Sequence, residues 1–171
     1  MKITSTTVID TKLARADDLP LVMAILAEAA AWLKAKGIDQ WPSPLNEHWQ
    51  RRMAEDIQRE EVYTVGVVKN RLGIVRFTWA DPYWSDDNLA GYVHSMAIRS
   101  NMHGQNLGGM MLFWAMMKAK REGKQFLRLD CLAGNGRLRR YYEAHGFLYR
   151  DERTDQDYVA ALYEKEIGLQ A

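Results

Sequence analysis

The run Ile98-Arg99-Ser100-Asn101-Met102-His103-Gly104-Gln105-Asn106-Leu107-Gly108-Gly109 holds the residue types in this chain best suited to gripping a ligand through its backbone. It follows a strong strand pattern, AGYVHSMAI (90–98), and precedes a helical pattern that extends from about Leu107 to Arg121. Its glycines permit positive φ and close approach of backbone to a bound group. The first N–H groups of a helix have no partners within the helix, and the helix dipole adds partial positive charge there. Together these features suit a phosphate or pyrophosphate. The segment is neither a Walker A loop nor a dinucleotide-binding fingerprint. Read from the residues alone, it is also consistent with a glycine-rich connection that merely turns the chain.

Three further side chains could move protons. Alternation along 90–98 puts Tyr92, His94, Met96 and Ile98 on one face, and His94 is the ordinary near-neutral titrating group of that strand. It suits a general base or, equally, a buried structural histidine. Asp130, on the strand pattern LRLDCL, is the second candidate base; the bland alternative is a salt bridge to Arg128 or Arg139. In NGRLRRYYEAHGF (135–147), Leu138, Tyr141, Tyr142 and His145 share a helix side. Asn135 reads as an N-cap and Tyr142 as a packed aromatic when the residues are taken alone. Cys131 is the sole cysteine, which excludes a disulfide framework and a cysteine-rich metal site. Such a residue in a strand reads as small buried apolar filling rather than as a nucleophile that carries an acyl group.

Two stretches resemble the GNAT acetyltransferases. Residues 98–108 are similar to the family's motif V-x-P-x-x-R/Q-G-x-G-I/L-G, with His103 in place of the usual Arg or Gln and Asn106 in place of the second glycine. Asn tolerates left-handed backbone, so the turn can survive. Residues 135–147 resemble N-x-x-A-x-x-L/F/Y-Y-x-x-x-G-F, matching at Asn135, Tyr142, Gly146 and Phe147, with Leu138 in place of Ala. The resemblance implies acetyl-coenzyme A as co-substrate and no metal. It implies that the amides of His103, Gly104, Gln105, Asn106, Leu107, Gly108 and Gly109 hold the pyrophosphate. Met96 and Ile98 would lie along the pantetheine, Asn135 would bond to it, and Tyr142 would sit by the sulfur to protonate or hydrogen-bond the leaving thiolate. Family members often carry a Glu or His base on the strand occupied here by His94. The helix 1–helix 2 loop commonly borders the acceptor, so Trp41 could frame an amine pocket together with Asp81, Tyr83, Trp84, Asp86, Asp87 and Tyr92. Acidic and aromatic groups suit a cationic amine. The plainer reading is a solvated loop whose aromatics cap the core.

The elements that must position these groups follow from pattern. A strand over 7–15 precedes a helix capped by Asp17, with Pro20 in its first turn and Leu19, Met23, Leu26, Ala30 and Leu33 at helical spacing. A second helix starts after Asn46, with Trp49, Met53 and Ile57 on one face and Arg51, Arg52, Glu55 and Asp56 on the other. Strands at 62–68 and 72–79 form a hairpin. After the strand at 90–98 and the helix at 107–121 come a strand at 125–132, a helix from Asn135 to Gly146 and a closing pair of strands. The order β-α-α-β-β-β-α-β-α-β-β predicts an α/β (α+β) fold, a mixed, mostly antiparallel central sheet with helices on both faces.

The chain has 171 residues and a formal net charge of +1. That length suits one domain, 1–171, and the charge argues against a general nucleic-acid or membrane binder, although Arg137, Arg139 and Arg140 cluster. No apolar run nears the roughly 20 residues that cross a bilayer. A signal peptide is not expected, and the cytoplasm is the expected location. The resulting expectation is direct transfer of acetyl from acetyl-coenzyme A to a small-molecule or peptide primary amine. The alternative is a non-catalytic acyl-coenzyme A sensor. Relatives with this fold often form homodimers.

Overall fold

The computed structural model describes residues 9–67, 70–85, 88–156 and 158–168. Its elements are β1 (Asp10–Leu13), α1 (Leu19–Ala35), α2 (Glu47–Gln58), β2 (Val62–Val67), β3 (Asn70–Thr78), β4 (Ala90–Ile98), α3 (Leu107–Arg121), β5 (Phe126–Leu132), α4 (Gly136–Ala144), β6 (Leu148–Asp155) and β7 (Tyr158–Glu166). The expected element order holds. The seven strands form a sheet in the order β1-β2-β3-β4-β5-β7-β6. β4 and β5 pair parallel, while β1/β2, β2/β3, β5/β7 and β6/β7 pair antiparallel. This is the mixed, mostly antiparallel α/β fold that the pattern implied. The chain divides into two compact units, one of residues 1–76 with 95–111 and one of 77–94 with 112–171.

In the first unit, α1 and α2 bury Val22, Ile25, Leu26, Ala29, Met53 and Ile57 together with Val62, Ile74 and Ala97. The expected α1 stripe is rotated: Val22, Ile25, Leu26, Ala29 and Ala30 are buried, whereas Leu19 and Met23 only pack against the edge of the cluster. A helix that is apolar around most of its circumference does not declare its inner face by period alone. The expected cap is not formed: Asp17 and Asp18 lie in a 3-10 turn before α1, and Asp18, at the N-cap position, accepts from Arg15 N instead of from the helix. Asn46 caps α2 as read, accepting from Trp49 N at 3.2 Å. Asp56 does not lie on a solvated face. Its side chain is 1% exposed, bonded to Arg59 and 3.3 Å from Arg76. A buried carboxylate persists only with such partners.

The second unit packs β5 and β7 around Leu127, Leu129, Ala160, Ala161, Leu162 and Tyr163, all nearly inaccessible. α4 is closed by Gly146 two residues past its end, where a φ of +82° lets Phe147 N reach back to Tyr142 O at 3.1 Å and Gly146 N to Glu143 O at 2.9 Å. This paired closure is a Schellman motif. It seats the Phe147 ring 5.9 Å from that of Tyr142, which explains the glycine–phenylalanine pair in the second sequence motif. A Cβ on Gly91 would come within 2.4 Å of Phe77 Cζ and 3.2 Å of Ala119 Cβ. Gly91→Ala should therefore cost about 1–3 kcal/mol of stability through overpacking, measured by chemical denaturation; an unchanged midpoint would show that Phe77 swings away freely.

Candidate active site

The turn between β4 and α3 lies in the first unit. Gly104 has φ +77° and Asn106 φ +57°, so the asparagine takes the left-handed conformation expected of it. Met110 N bonds to Asn106 O at 3.1 Å, but the amides of Leu107, Gly108 and Gly109 find no acceptor among the described residues. A Cβ on Gly104 would meet nothing within 4 Å, so the turn has open space beside it. Buried Met102 and Leu107 anchor it from below. These free amides and open surroundings fit a phosphate group.

Side chains around the turn are less available than the sequence suggests. Arg99 is occupied, with Nη1 3.1 Å from Glu28 Oε2 and Nε donating to Arg71 O at 3.2 Å. Glu28 Oε1 accepts from Ser100 N and from Ser100 Oγ, each at 2.6 Å. The Ser100 hydroxyl, together with the Ser100 amide and Arg99, holds the Glu28 carboxyl below its ordinary range. His103 is exposed and sits edge-on to Trp32 with ring centroids 4.7 Å apart.

The second unit holds the titratable groups. His94 Nε2 is 3.2 Å from Thr78 Oγ1 and 3.3 Å from Asp81 Oδ2, and Nδ1 is 3.8 Å from Asp130 Oδ1. Asp130 Oδ2 accepts from the Tyr158 hydroxyl at 3.2 Å. Tyr83 N donates to Asp81 Oδ1 at 2.7 Å, and the Tyr83 hydroxyl approaches Asp155 at 3.5 Å. Burial, reinforced by Asp155, Asp130 and Asp81, pushes the Tyr83 phenol up. Asp81, His94 and Asp130 also offer one donor atom each within 4.8 Å, the spacing of a metal set. Asp130 pairs with neither Arg128 nor Arg139: Arg128 bonds Glu164 at 2.8 Å, and Arg139 bonds the Tyr163 hydroxyl at 3.0 Å.

Tyr142 is buried on α4, and its hydroxyl makes no hydrogen bond among the described residues. Burial, with smaller contributions from Cys131 and Asp130, raises its pKa well above the ordinary phenol value. Cys131 is buried, and its thiol is pushed up to about 12, chiefly by burial and then by Asp130. Asn135 Oδ1 accepts from Leu138 N at 3.1 Å, so the N-cap reading is realised.

The acidic and aromatic loop residues do not all gather at this cluster. Tyr92 is buried, and its hydroxyl accepts from Arg128 Nη1 at 3.0 Å. The Arg128 guanidinium lies 4.6 Å from the Trp84 ring centre, so one face of that ring is already occupied by a protein cation. Trp41 packs beside Trp49 and the first unit's core. Asp86 and Asp87 lie outside the described residues. The expected single face of β4 is interrupted, since Ser95 has φ +47° between His94 and Met96; such a residue breaks the pleat's alternation. Its parallel register with β5 runs only from Ala90↔Phe126 to Val93↔Leu129.

The acetyltransferase (GNAT) family profile matches residues 26–147, most of the chain. The chain belongs to the acetyltransferase (GNAT) family. It is 26% identical over 158 residues to the uncharacterized N-acetyltransferase YesJ of Bacillus subtilis, covering 88% of this chain and 86% of that protein. Among solved structures, a GNAT-family acetyltransferase from Streptococcus agalactiae superposes with a TM-score of 0.80 at 19% identity, covering 95% and 96% of the two chains. The PaiA N-acetyltransferase of Thermoplasma acidophilum, solved in complex with coenzyme A, gives a TM-score of 0.70 at 15% identity over 94% and 99%. At such identities these two structures speak for the GNAT fold. No helix among the described residues is long and apolar enough to cross a membrane.

Glu28, Thr78 and Tyr158 were not visible in the sequence as site residues. Each acts through a partner far away in the chain, and no local spacing marks such a pair. The Glu28 clasp gives a test with a definite sign. A carboxyl held below its ordinary value of 4.5 contributes stability above that value and loses it as pH falls through the lowered one. Glu28→Ala should melt below the parent protein at neutral pH, and the gap should shrink on acidification below 4.5. A gap that stays constant with pH in thermal denaturation would contradict the clasp.

Proposed function

We propose that this GNAT-family protein transfers an acetyl group from acetyl-coenzyme A to a primary amine by direct attack on the thioester. The observation that carries the reading is the set of amides at Leu107, Gly108 and Gly109 with no acceptor among the described residues, beside left-handed Gly104 and Asn106. In this reading those amides, with His103 and Gln105, hold the pyrophosphate. Backbone around Met96 and Ile98 lines the pantetheine arm and polarises the carbonyl, and Asn135 contacts that arm. When bound, acetyl-coenzyme A supplies an activated acyl carbon and a thiolate leaving group.

An aliphatic amine has a pKa near ~10.4 and arrives as ammonium, so a proton must leave nitrogen before attack. His94, backed by Asp130, is the proposed acceptor of that proton. The C–N bond then forms as the C–S bond breaks. Tyr142 donates a hydrogen bond to the developing sulfur anion. Its acidity is pushed far below that of a thiol, which ionises near ~8.5, so it keeps its proton and solvent finally protonates the sulfur. The weak acidity of the Cys131 thiol argues against an acyl-enzyme, because the thiolate is the nucleophile. The carboxylates of Asp81 and Asp130 beside His94 favour a cationic acceptor, whether a small molecule or a peptide amine.

The deciding experiment is thiol release from acetyl-coenzyme A against a panel of amines. Amine-dependent release is expected, and none across the panel would leave only a coenzyme-binding protein. Tyr142→Phe should lower kcat by about 10- to 100-fold while coenzyme binding is retained; full turnover would remove the hydroxyl from the chemistry. Gly108→Val should weaken coenzyme A binding about tenfold or more, and unchanged affinity by calorimetry would refute the amide cradle.

A further inference from the structure

The neighbours of His94 settle which of its nitrogens carries hydrogen. Thr78 has one hydroxyl proton, and it goes to Ala80 O at 2.9 Å. Toward His94 Nε2, 3.2 Å away, Thr78 Oγ1 can therefore present only a lone pair. The second neighbour of Nε2 is a carboxylate oxygen, Asp81 Oδ2 at 3.3 Å, which is also an acceptor. Asp81 is itself held, its side chain 5% exposed and its other oxygen receiving Tyr83 N. Two acceptors facing one ring nitrogen require an N–H there, so in the neutral ring the lone pair is on Nδ1.

Nδ1 faces Asp130 Oδ1 across 3.8 Å, too far for a hydrogen bond. Tyr158 has already turned the other Asp130 oxygen by donating to it. Among the described residues no Lys or Arg nitrogen pairs with Asp130. Two acceptors separated in this way call for a third group that brings N–H donors to both, and a substrate ammonium carries three. We propose that Thr78 and Asp81 are positioning residues that lock His94 as its Nε2–H tautomer, so that Nδ1 removes the proton from an ammonium docked on Asp130. The inference rests on the acyltransfer reading and names the atom that does its proton chemistry.

The proton balance is simple. The ammonium N–H bond breaks, its proton joins Nδ1, and its electron pair stays on nitrogen for attack on the acyl carbon. The imidazolium that results has both N–H groups facing carboxylates, Asp81 and Asp130, and later releases the Nδ1 proton to solvent. The charged and titratable groups around the ring are Asp81 from the loop after β3, Asp130 from β5 with Tyr158 of β7 behind it, and Tyr83 with Asp155 beyond.

The test reads the tautomer directly. Long-range ¹H–¹⁵N correlation on the ¹⁵N-histidine-labelled full chain, with His94 assigned by loss of its signals in His94→Gln, is expected to show Nε2–H when the ring is neutral. Thr78→Val leaves Asp81 alone to hold Nε2–H and should admit a detectable fraction of the other tautomer and lower kcat for the best amine by about tenfold, and Thr78→Ser should restore both. Should Thr78→Val not fold, Asp81→Asn provides the same pair of readouts, with a mixed tautomer and lowered kcat expected. An Nδ1–H tautomer in the parent protein overturns the inference. So does a substitution that leaves both tautomer and kcat unchanged. If no amine is acetylated, the acyltransfer reading fails by itself, while the spectra still decide the tautomer.

Discussion

A backbone N–H removed from solvent must find an acceptor, and at the start of α3 none is found among the described residues for Leu107, Gly108 and Gly109. The surrounding sequence serves that condition. Gly104 and Asn106 adopt left-handed backbone to bring the chain into the helix. Met102 and Leu107 bury their side chains, which keeps the polar turn outward. Glu28 reaches from α1 to take the Ser100 amide and hydroxyl, leaving the turn held by its flank rather than by contacts to the amides themselves.

This arrangement changes how the family's pattern should be read here. The position usually occupied by Arg or Gln is His103, and Arg99 cannot substitute for it, because its guanidinium is shared between Glu28 and the Arg71 carbonyl. In the proposed reading, an anion at this turn would therefore depend on backbone dipoles more than on side-chain charge. Backbone dipoles are fixed in direction by the helix and lose little entropy on binding, whereas a long cationic side chain must be ordered. Asn106 in the second glycine's place costs little, since it adopts the φ that the glycine would have taken.

What could be read from sequence was local. The turn, the α4 cap at Asn135 and the Gly146–Phe147 closure each depend on residues within about six positions of one another, so spacing alone reveals them. The partners of His94 do not. Thr78, Asp81, Asp130 and Tyr158 are brought together by strand pairing, and a threonine near the end of a strand carries no mark of its function. The inner face of α1 is hidden for a related reason: with apolar residues nearly all round, only the packing of Met53 and Ile57 against it selects Val22, Ile25 and Ala29. Asp56 shows the opposite case, since a place on the charged face of α2 does not reveal its burial, which depends on Arg76 of β3 beside it.

The proton chemistry follows from differences in burial within a few residues. Cys131 and Asp130 are successive on β5, so their side chains point to opposite faces. The inward-facing thiol is driven toward its neutral form, while Asp130 is turned toward His94 and Tyr158. Tyr142 is placed among aromatic rings, its neighbours being Tyr141, Phe147 and Tyr163. Such surroundings make a phenol a poor acid but a well-oriented hydrogen-bond donor. Under the proposed acyl transfer such a site would separate its tasks: one group would take a proton from nitrogen, another would stabilise sulfur without surrendering its own, and the lone thiol would be kept out of the reaction by the apolar packing that raises its pKa.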